Sequence, residues 1–197
     1  MPFFSDTGPG GFQPKRKFRF MVSFSELSNL TFMAKSAAKP SYEMGSQEHN
    51  VLNHVFKFPG IVKWNDVDVT FIDAVDPNVG SKFYSALVAS GYIPPVNEAA
   101  LTTGVTKVNT HNTIGEVKIK QLDGGGVILL PGQDPSDAAL DTTRVVDEWT
   151  LKNAFIKSVK FGDGLDYTSE DLVDISVSLT YDYATYSAVP GGLPLAQ

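Results

Sequence analysis

The chain has 197 residues, 42% of them hydrophobic and 11% aromatic, which is enough apolar material for one packed domain and excludes wholesale disorder. It contains no Cys, so disulfides, thiol catalysis and Cys-ligated zinc are excluded together. The formal charge of −6 is segregated: residues 1–160 sum to zero, while residues 161–197 carry Asp163, Asp166, Glu170, Asp171, Asp174 and Asp182 with no Lys or Arg.

No apolar run approaches 18 residues, so no membrane span is expected. The first residues lack a basic segment followed by an apolar one, so a secretory leader is not expected either, and the Asn29-Leu-Thr31 sequon reads as incidental.

Residues 1–16, rich in Gly and Pro, read as an N-terminal arm with Lys15-Arg16-Lys17 at its base. Three charges are too few for a phosphate-tracking stripe. A strand-edge gatekeeper or a contact with an acidic partner suits the triplet better. Phe18, Phe20, Val22 and Phe24 alternate with polar or smaller residues, so Lys17 to Ser25 reads as a strand. Leu30 to Ala37 is expected to pair with it as an opening hairpin. Lys39-Pro40 closes that hairpin, and Ser41 to Asn50 reads as a projecting loop. Val51 to Phe58 is β-like and stops at Pro59-Gly60; Ile61 to Ile72 holds a strand with Val67, Val69 and Phe71 in alternation.

One helix is expected over 77–90. Asp76 suits the N-cap, Pro77 the first helical position and Gly91 the stop, and Val79, Phe83, Ala86 and Leu87 form its apolar stripe. Tyr92 to Asn112, with Pro94-Pro95 and many Thr and Asn, reads as part of an irregular insertion over 92–115. Glu116 to Leu122 and Val127 to Leu130 flank Asp123-Gly-Gly-Gly126 as a hairpin, followed by loop from Pro131 to Asp141.

The longest period-2 signal comes last. In Val173 to Tyr183, Val173, Ile175, Val177, Leu179, Tyr181 and Tyr183 are apolar, and every residue between is polar. One strand of eleven residues, half on a core and half in water, satisfies that pattern. Residues 184–197 read as a C-terminal tail.

Catalytic chemistry finds no foothold. His49 and His54 are five apart on an expected strand and therefore on opposite faces, and His111 stands alone. Gly124-Gly125-Gly126 lacks the Lys-Ser/Thr of a phosphate loop, and the acidic pairs Asp147-Glu148 and Glu170-Asp171 are local charges. No enzyme activity, cofactor or metal site is expected.

A mainly β domain of this size, a two-sheet sandwich or barrel with one flanking helix, has sheet edges that must be covered or paired. Pairing edge to edge around a closed ring of copies satisfies every backbone group. A cyclic homo-oligomer with a shared inner barrel follows as the expectation. A monomeric barrel that binds a small apolar ligand is the contrasting class.

The run Trp149-x-Leu151-x-Asn153-Ala154-Phe155, the Gly162-Asp-Gly-Leu-Asp-Tyr-Thr168 loop and the closing strand ending Leu179-Thr-Tyr181-Asp182 resemble the tail tube proteins of contractile-tailed bacteriophages and related phage-like injection machines. The resemblance is specific over the last third, looser over Phe18 to Ala37 and Val67 to Gly91, and absent over Tyr92 to Asn112 and the tail. It implies a single tail-tube domain over 1–197 and a structural virion protein forming stacked hexameric rings. The implied partners are sheath, baseplate or tube-initiator, tail terminator and tape measure proteins. DNA would pass through the bore unbound, and assembly would occur in the host cytoplasm without a membrane.

On that reading Trp149, Leu151, Phe155, Val173, Ile175, Val177, Leu179 and Tyr181 pack the subunit core. Asp174, Ser176, Ser178, Thr180 and Asp182 face the lumen, where uncompensated acids would repel phosphate. The loop with Lys39, Pro40, Tyr42 and Glu43 reaches the next ring. Alternatives on the same fold are a low-copy tube initiator or tail-completion protein, and the inner tube of a toxin-delivery machine that carries protein.

Overall fold

The structure, a computed structural model, describes residues 15–27, 30–31, 33–95, 104–122, 145–162, 164–168 and 170–188. The described residues form two four-stranded antiparallel sheets, a separate hairpin and two helices. The first sheet has the order β1-β6-β7-β10, with β1 at Phe20–Phe24, β6 at Val117–Leu122, β7 at Val145–Lys152 and β10 at Tyr183–Ala188. The second has the order β2-β5-β9-β8, with β2 at Ala34–Ala37, β5 at Val67–Ile72, β8 at Phe155–Lys160 and β9 at Asp174–Thr180. The hairpin joins β3, Tyr42–Val51, to β4, His54–Trp64.

Alternation decides which side chains go inward. Val67, Val69 and Phe71 on β5 are fully buried, as are Ile175, Val177 and Leu179 on β9 to within 1%. Val22 and Phe24 on β1, Val117 and Ile119 on β6 and Leu151 on β7 complete one continuous core. Phe24 and Phe71 link the sheets with ring centroids 6.0 Å apart. Phe71 also meets Phe83 of helix α1, Val79–Ala89, at 5.4 Å. Each fully buried side chain of this size contributes about 1.5–3 kcal/mol of transfer free energy.

Several expectations change. Val173 to Tyr183 is not one strand: β9 ends at Thr180, the chain bends at Tyr181-Asp182, and β10 begins in the other sheet. Tyr181 remains buried at that corner, and the Asp182 N–H donates to the Lys152 carbonyl. The apolar alternation continues past the bend to Tyr183, which is 48% exposed. The opening hairpin is also absent, since β1 pairs with β6 and β2 with β5. Leu30, between them, is fully buried in the shared core.

Helix α1 starts two residues later than expected, after a cis Asp76-Pro77 bond, and Asn78 caps it by accepting the Ser81 N–H at 2.6 Å. It buries Val79, Phe83 and Ala86, while Leu87 stays 41% exposed. Ser90 closes the helix and Gly91 follows with φ +106°.

The expected irregular insertion contains a second helix, α2, Lys107–Ile114. Its Val, Asn, Thr and His residues are weak helix formers. Thr106 caps it through the Asn109 N–H, Ile114 anchors it in the core, and Gly115 ends it with φ +65°. Residues 184–188 of the expected tail belong to β10, and the expected strand Val127 to Leu130 lies outside the described residues. Strand β6 instead pairs with β7.

Candidate functional site

The outward face of the second sheet is built from the positions between the buried ones. Across one row, Thr70, Ser176 and Lys160 are neighbours; across the next, Asp68, Ser178 and Ser158. Further along, the Thr180 hydroxyl donates to Asp66 at 2.7 Å, and Lys157 donates to the same carboxylate at 2.5 Å. These two bonds, Lys157 first, hold the Asp66 carboxyl below its ordinary range. Tyr181 sits behind this row, and burial together with the Asp66 charge pushes its phenol up to about 12.

Two acids of the C-terminal third, Asp174 and Asp182, are compensated in space. Lys35 of β2 pairs with Asp174 at 2.5 Å, and Lys107 of α2 pairs with Asp182 at 2.7 Å. Donation by Lys107, then by Asn153, keeps the Asp182 carboxyl low. The face carries Lys35, Lys157 and Lys160 against Asp66, Asp68 and Asp174, a balanced set among the described residues. Asp174 and Asp182, expected to stand without compensating cations, each have a lysine partner. Asp182 stands at the bend, off that face.

Of the residues expected in the core, Leu151, Ile175, Val177, Leu179 and Tyr181 are buried, Trp149 and Phe155 are half-buried, and Val173 is 38% exposed. Trp149 packs against Tyr186 with centroids 4.9 Å apart and the rings tilted by 50°, an aromatic cross-strand pair between β7 and β10.

The segment read as a projecting loop is the base of a long hairpin arm. Two strands of ten and eleven residues reach about 33 Å at the usual rise per residue. Strand β4 continues through Pro59-Gly60, which the sequence marks as a stop, with a shift of register against β3 at that point. Every arm residue except Trp64 is exposed. Tyr42, edge-on to Trp64 at 5.4 Å, and Trp64, 6.0 Å from Tyr181, tie the arm to the body. Lys39 and Pro40 precede the arm, and Glu43 lies near its root opposite Lys63.

The tip, by contrast, presents Val51, Leu52, Val55, Phe56 and Phe58 to solvent, with Leu52 98% exposed. The period of the arm gives no hydrophobic face, which is why the sequence did not reveal it. The turn at Leu52-Asn53 also brings His49 and His54 onto one face of the hairpin, diagonally across the strands, rather than onto opposite faces. Among the described residues, no group of three or more His, Asp or Glu gathers as a metal site.

The second sheet ends, among the described residues, in two edges: β2 on one side and β8 on the other. An exposed strand edge leaves N–H and C=O groups available to another chain.

Comparison of the backbone with solved structures places this architecture. The tube-terminating cap of the anti-feeding prophage superposes with a TM-score of 0.62 at 18% identity, covering 91% of this chain and 95% of that one. This chain has the tail-tube fold. The sheath/tube terminator of an extracellular contractile injection system superposes at 0.58 with 16% identity, covering 90% and 99%. The sheath-tube complex of such a system superposes at 0.50 with 18% identity, covering 89% and 93%. No protein-family model and no curated protein matches the sequence.

Proposed function

We propose that the chain is a structural subunit of the inner tube of a phage tail or a phage-like contractile injection machine. The observation that carries this reading is the pair of open edges, β2 and β8, on a sheet whose outward face is polar and nearly neutral. Joining β8 of one copy to β2 of the next around a ring of six converts the second sheets into one closed barrel. Ser176, Ser178 and Thr180 then line the bore with hydroxyls, and Asp174 stays locked to Lys35. A bore without a net cationic track neither releases counterions from a phosphate backbone nor holds it, so DNA passes without specific binding.

The hairpin arm supplies the second, heterologous contact that stacking requires. Its apolar tip, exposed in the single chain, is buried when it reaches the neighbouring ring. Leu52 supports this: it sits at φ +52°, a conformation that costs a non-glycine residue about 1–2 kcal/mol. An Asn or Gly serves folding better there, so a fully exposed Leu at that point suits a contact made outside the subunit.

A tube-ending or tube-starting subunit, present in few copies, is the second reading, since two of the similar structures contain tube-terminating components. The same edges serve both, and copy number separates them. Electron microscopy of the purified protein tests the reading. Rings or tubes are expected; a monomer at every concentration overturns it.

A further inference from the structure

The two edge strands of the second sheet share an irregularity that its interior does not have. Strand β5 pairs with β9 residue for residue, from Val67 opposite Leu179 to Ile72 opposite Asp174. On β2, Ala34 and Ser36 face the consecutive residues Phe71 and Thr70, so Lys35 is one residue too many. On β8, Ile156 and Ser158 face the consecutive residues Leu179 and Ser178, so Lys157 is one too many. Two residues against one is the geometry of a β-bulge. Each open edge thus carries a bulge, and the extra residue in both is a lysine.

Each lysine is turned back over its own sheet. Lys35 crosses β5 to bond Asp174 at 2.5 Å, and Lys157 crosses β9 to bond Asp66, the residue before β5, at 2.5 Å. Lys157 holds the Asp66 carboxyl low and Asp66 holds the Lys157 ammonium up, so this pair stays ionised at neutral pH. Both lysines are more than half exposed, at 52% and 61%, so the ion pairs orient the side chains while adding little stability.

An extra residue changes what an edge offers to a partner. Along a regular edge, every second residue directs its N–H and C=O outward. Past a bulge that alternation falls out of step, and a regular incoming strand bonds on one side of it only. A lysine at the same point obstructs a strand that approaches off register.

We propose that the Lys35 and Lys157 bulges guard the two edges, so that chance contacts between single chains fail and edge pairing begins only above a threshold concentration. The inference rests on the edge-to-edge reading above and adds that ring formation is held back by the subunit itself. All three pairings in the sheet are antiparallel, so β8 of one copy meets β2 of the next antiparallel as well, and both guards lie in the new contact.

Removing the extra residues tests it. Deletion of Lys35 and of Lys157 restores a one-to-one register without turning neighbouring side chains to the other face. Lys35→Thr with Lys157→Thr keeps the chain length and serves where the deletions fail to fold. Lys82→Gln with Lys118→Gln makes the same change of charge on α1 and β6, away from these edges. Every one of these variants goes from −6 to −8, since two lysines are lost, and added negative charge by itself opposes association.

Sedimentation over a concentration series at physiological salt reads the threshold. It is expected to fall about tenfold for the deletions, as each contact regains a ladder hydrogen bond or two. The threonine pair is expected to move the same way by a smaller factor, and the Lys82, Lys118 control is expected not to fall. An unchanged or higher threshold in both edge variants overturns the inference, as does an equal fall in the control. If no form assembles at any concentration, the edge-pairing reading fails and this inference with it; if the unaltered chain assembles and the edge variants merely match it, this inference alone fails.

Discussion

Lys35 on β2 reaches across β5 to Asp174 at the start of β9, Nζ to Oδ2 2.5 Å, and so ties the edge strand of the second sheet to its interior. Both side chains are partly exposed, at 52% and 26%, so the pair contributes about 0–1 kcal/mol after screening. Asp174→Lys places two ammonium groups side by side there. The expected result is a loss of about 0.5–1 kcal/mol, read as a lower denaturant midpoint with an unchanged slope.

The core predicts a larger effect. Phe71 is fully buried between Phe24 and Phe83, so Phe71→Ala removes a ring that joins both sheets and α1. A loss of about 3–5 kcal/mol is expected by chemical denaturation. Ser178→Ala, on the outward face of the same sheet, is expected to stay within about 0.5 kcal/mol of the unaltered chain.

Acid should weaken the fold through three carboxylates. Asp66 is held low by Lys157 and Thr180, Glu116 by Lys152, and Asp182 by Lys107 and Asn153. A carboxyl whose pKa is lower in the folded chain contributes stability above its unfolded value and loses it as pH falls through the folded value. With ordinary values of 3.8 for Asp and 4.5 for Glu, the denaturation midpoint is expected to be flat from neutral pH to about 5 and to fall below about 4. Raising the salt should shrink the drop, because all three pairs are solvent-accessible.

Much of this architecture was legible from alternation. Strands β5 and β9 show one buried face each, and α1 is bracketed by Pro77 and Gly91. What was hidden has physical reasons. Alternation carries no mark of a change of sheet, so the bend at Tyr181-Asp182 passed as continuous strand. Charge counted along the chain missed Lys35 and Lys107, which arrive at Asp174 and Asp182 from 139 and 75 residues away. The arm shows no period because neither of its faces is buried in a single subunit, and α2 is held by capping and packing rather than by propensity.

Gly115 offers a backbone test. At φ +65° a Cβ would lie 1.8 Å from the Ser25 Oγ, the hydroxyl that accepts the Glu116 N–H at 2.9 Å. Gly115→Ala is expected to destabilise by more than about 1 kcal/mol through strain and loss of that bond.

Leu52 separates folding from assembly. Leu52→Asn eases a left-handed turn and is expected to stabilise the single chain by up to about 1 kcal/mol. The same change removes apolar surface from the arm tip and is expected to leave rings that stack less readily into tubes, visible as shorter particles by electron microscopy.

The central claim is that the open edges of the second sheet are completed by further copies of the chain. High-resolution electron microscopy of the assembled protein tests it most directly. Closed rings in which β8 of each subunit hydrogen-bonds β2 of the next, with Ser176, Ser178 and Thr180 facing the bore, are the predicted result. Rings joined through other surfaces, or a protein that stays monomeric with both edges in solvent, would contradict it.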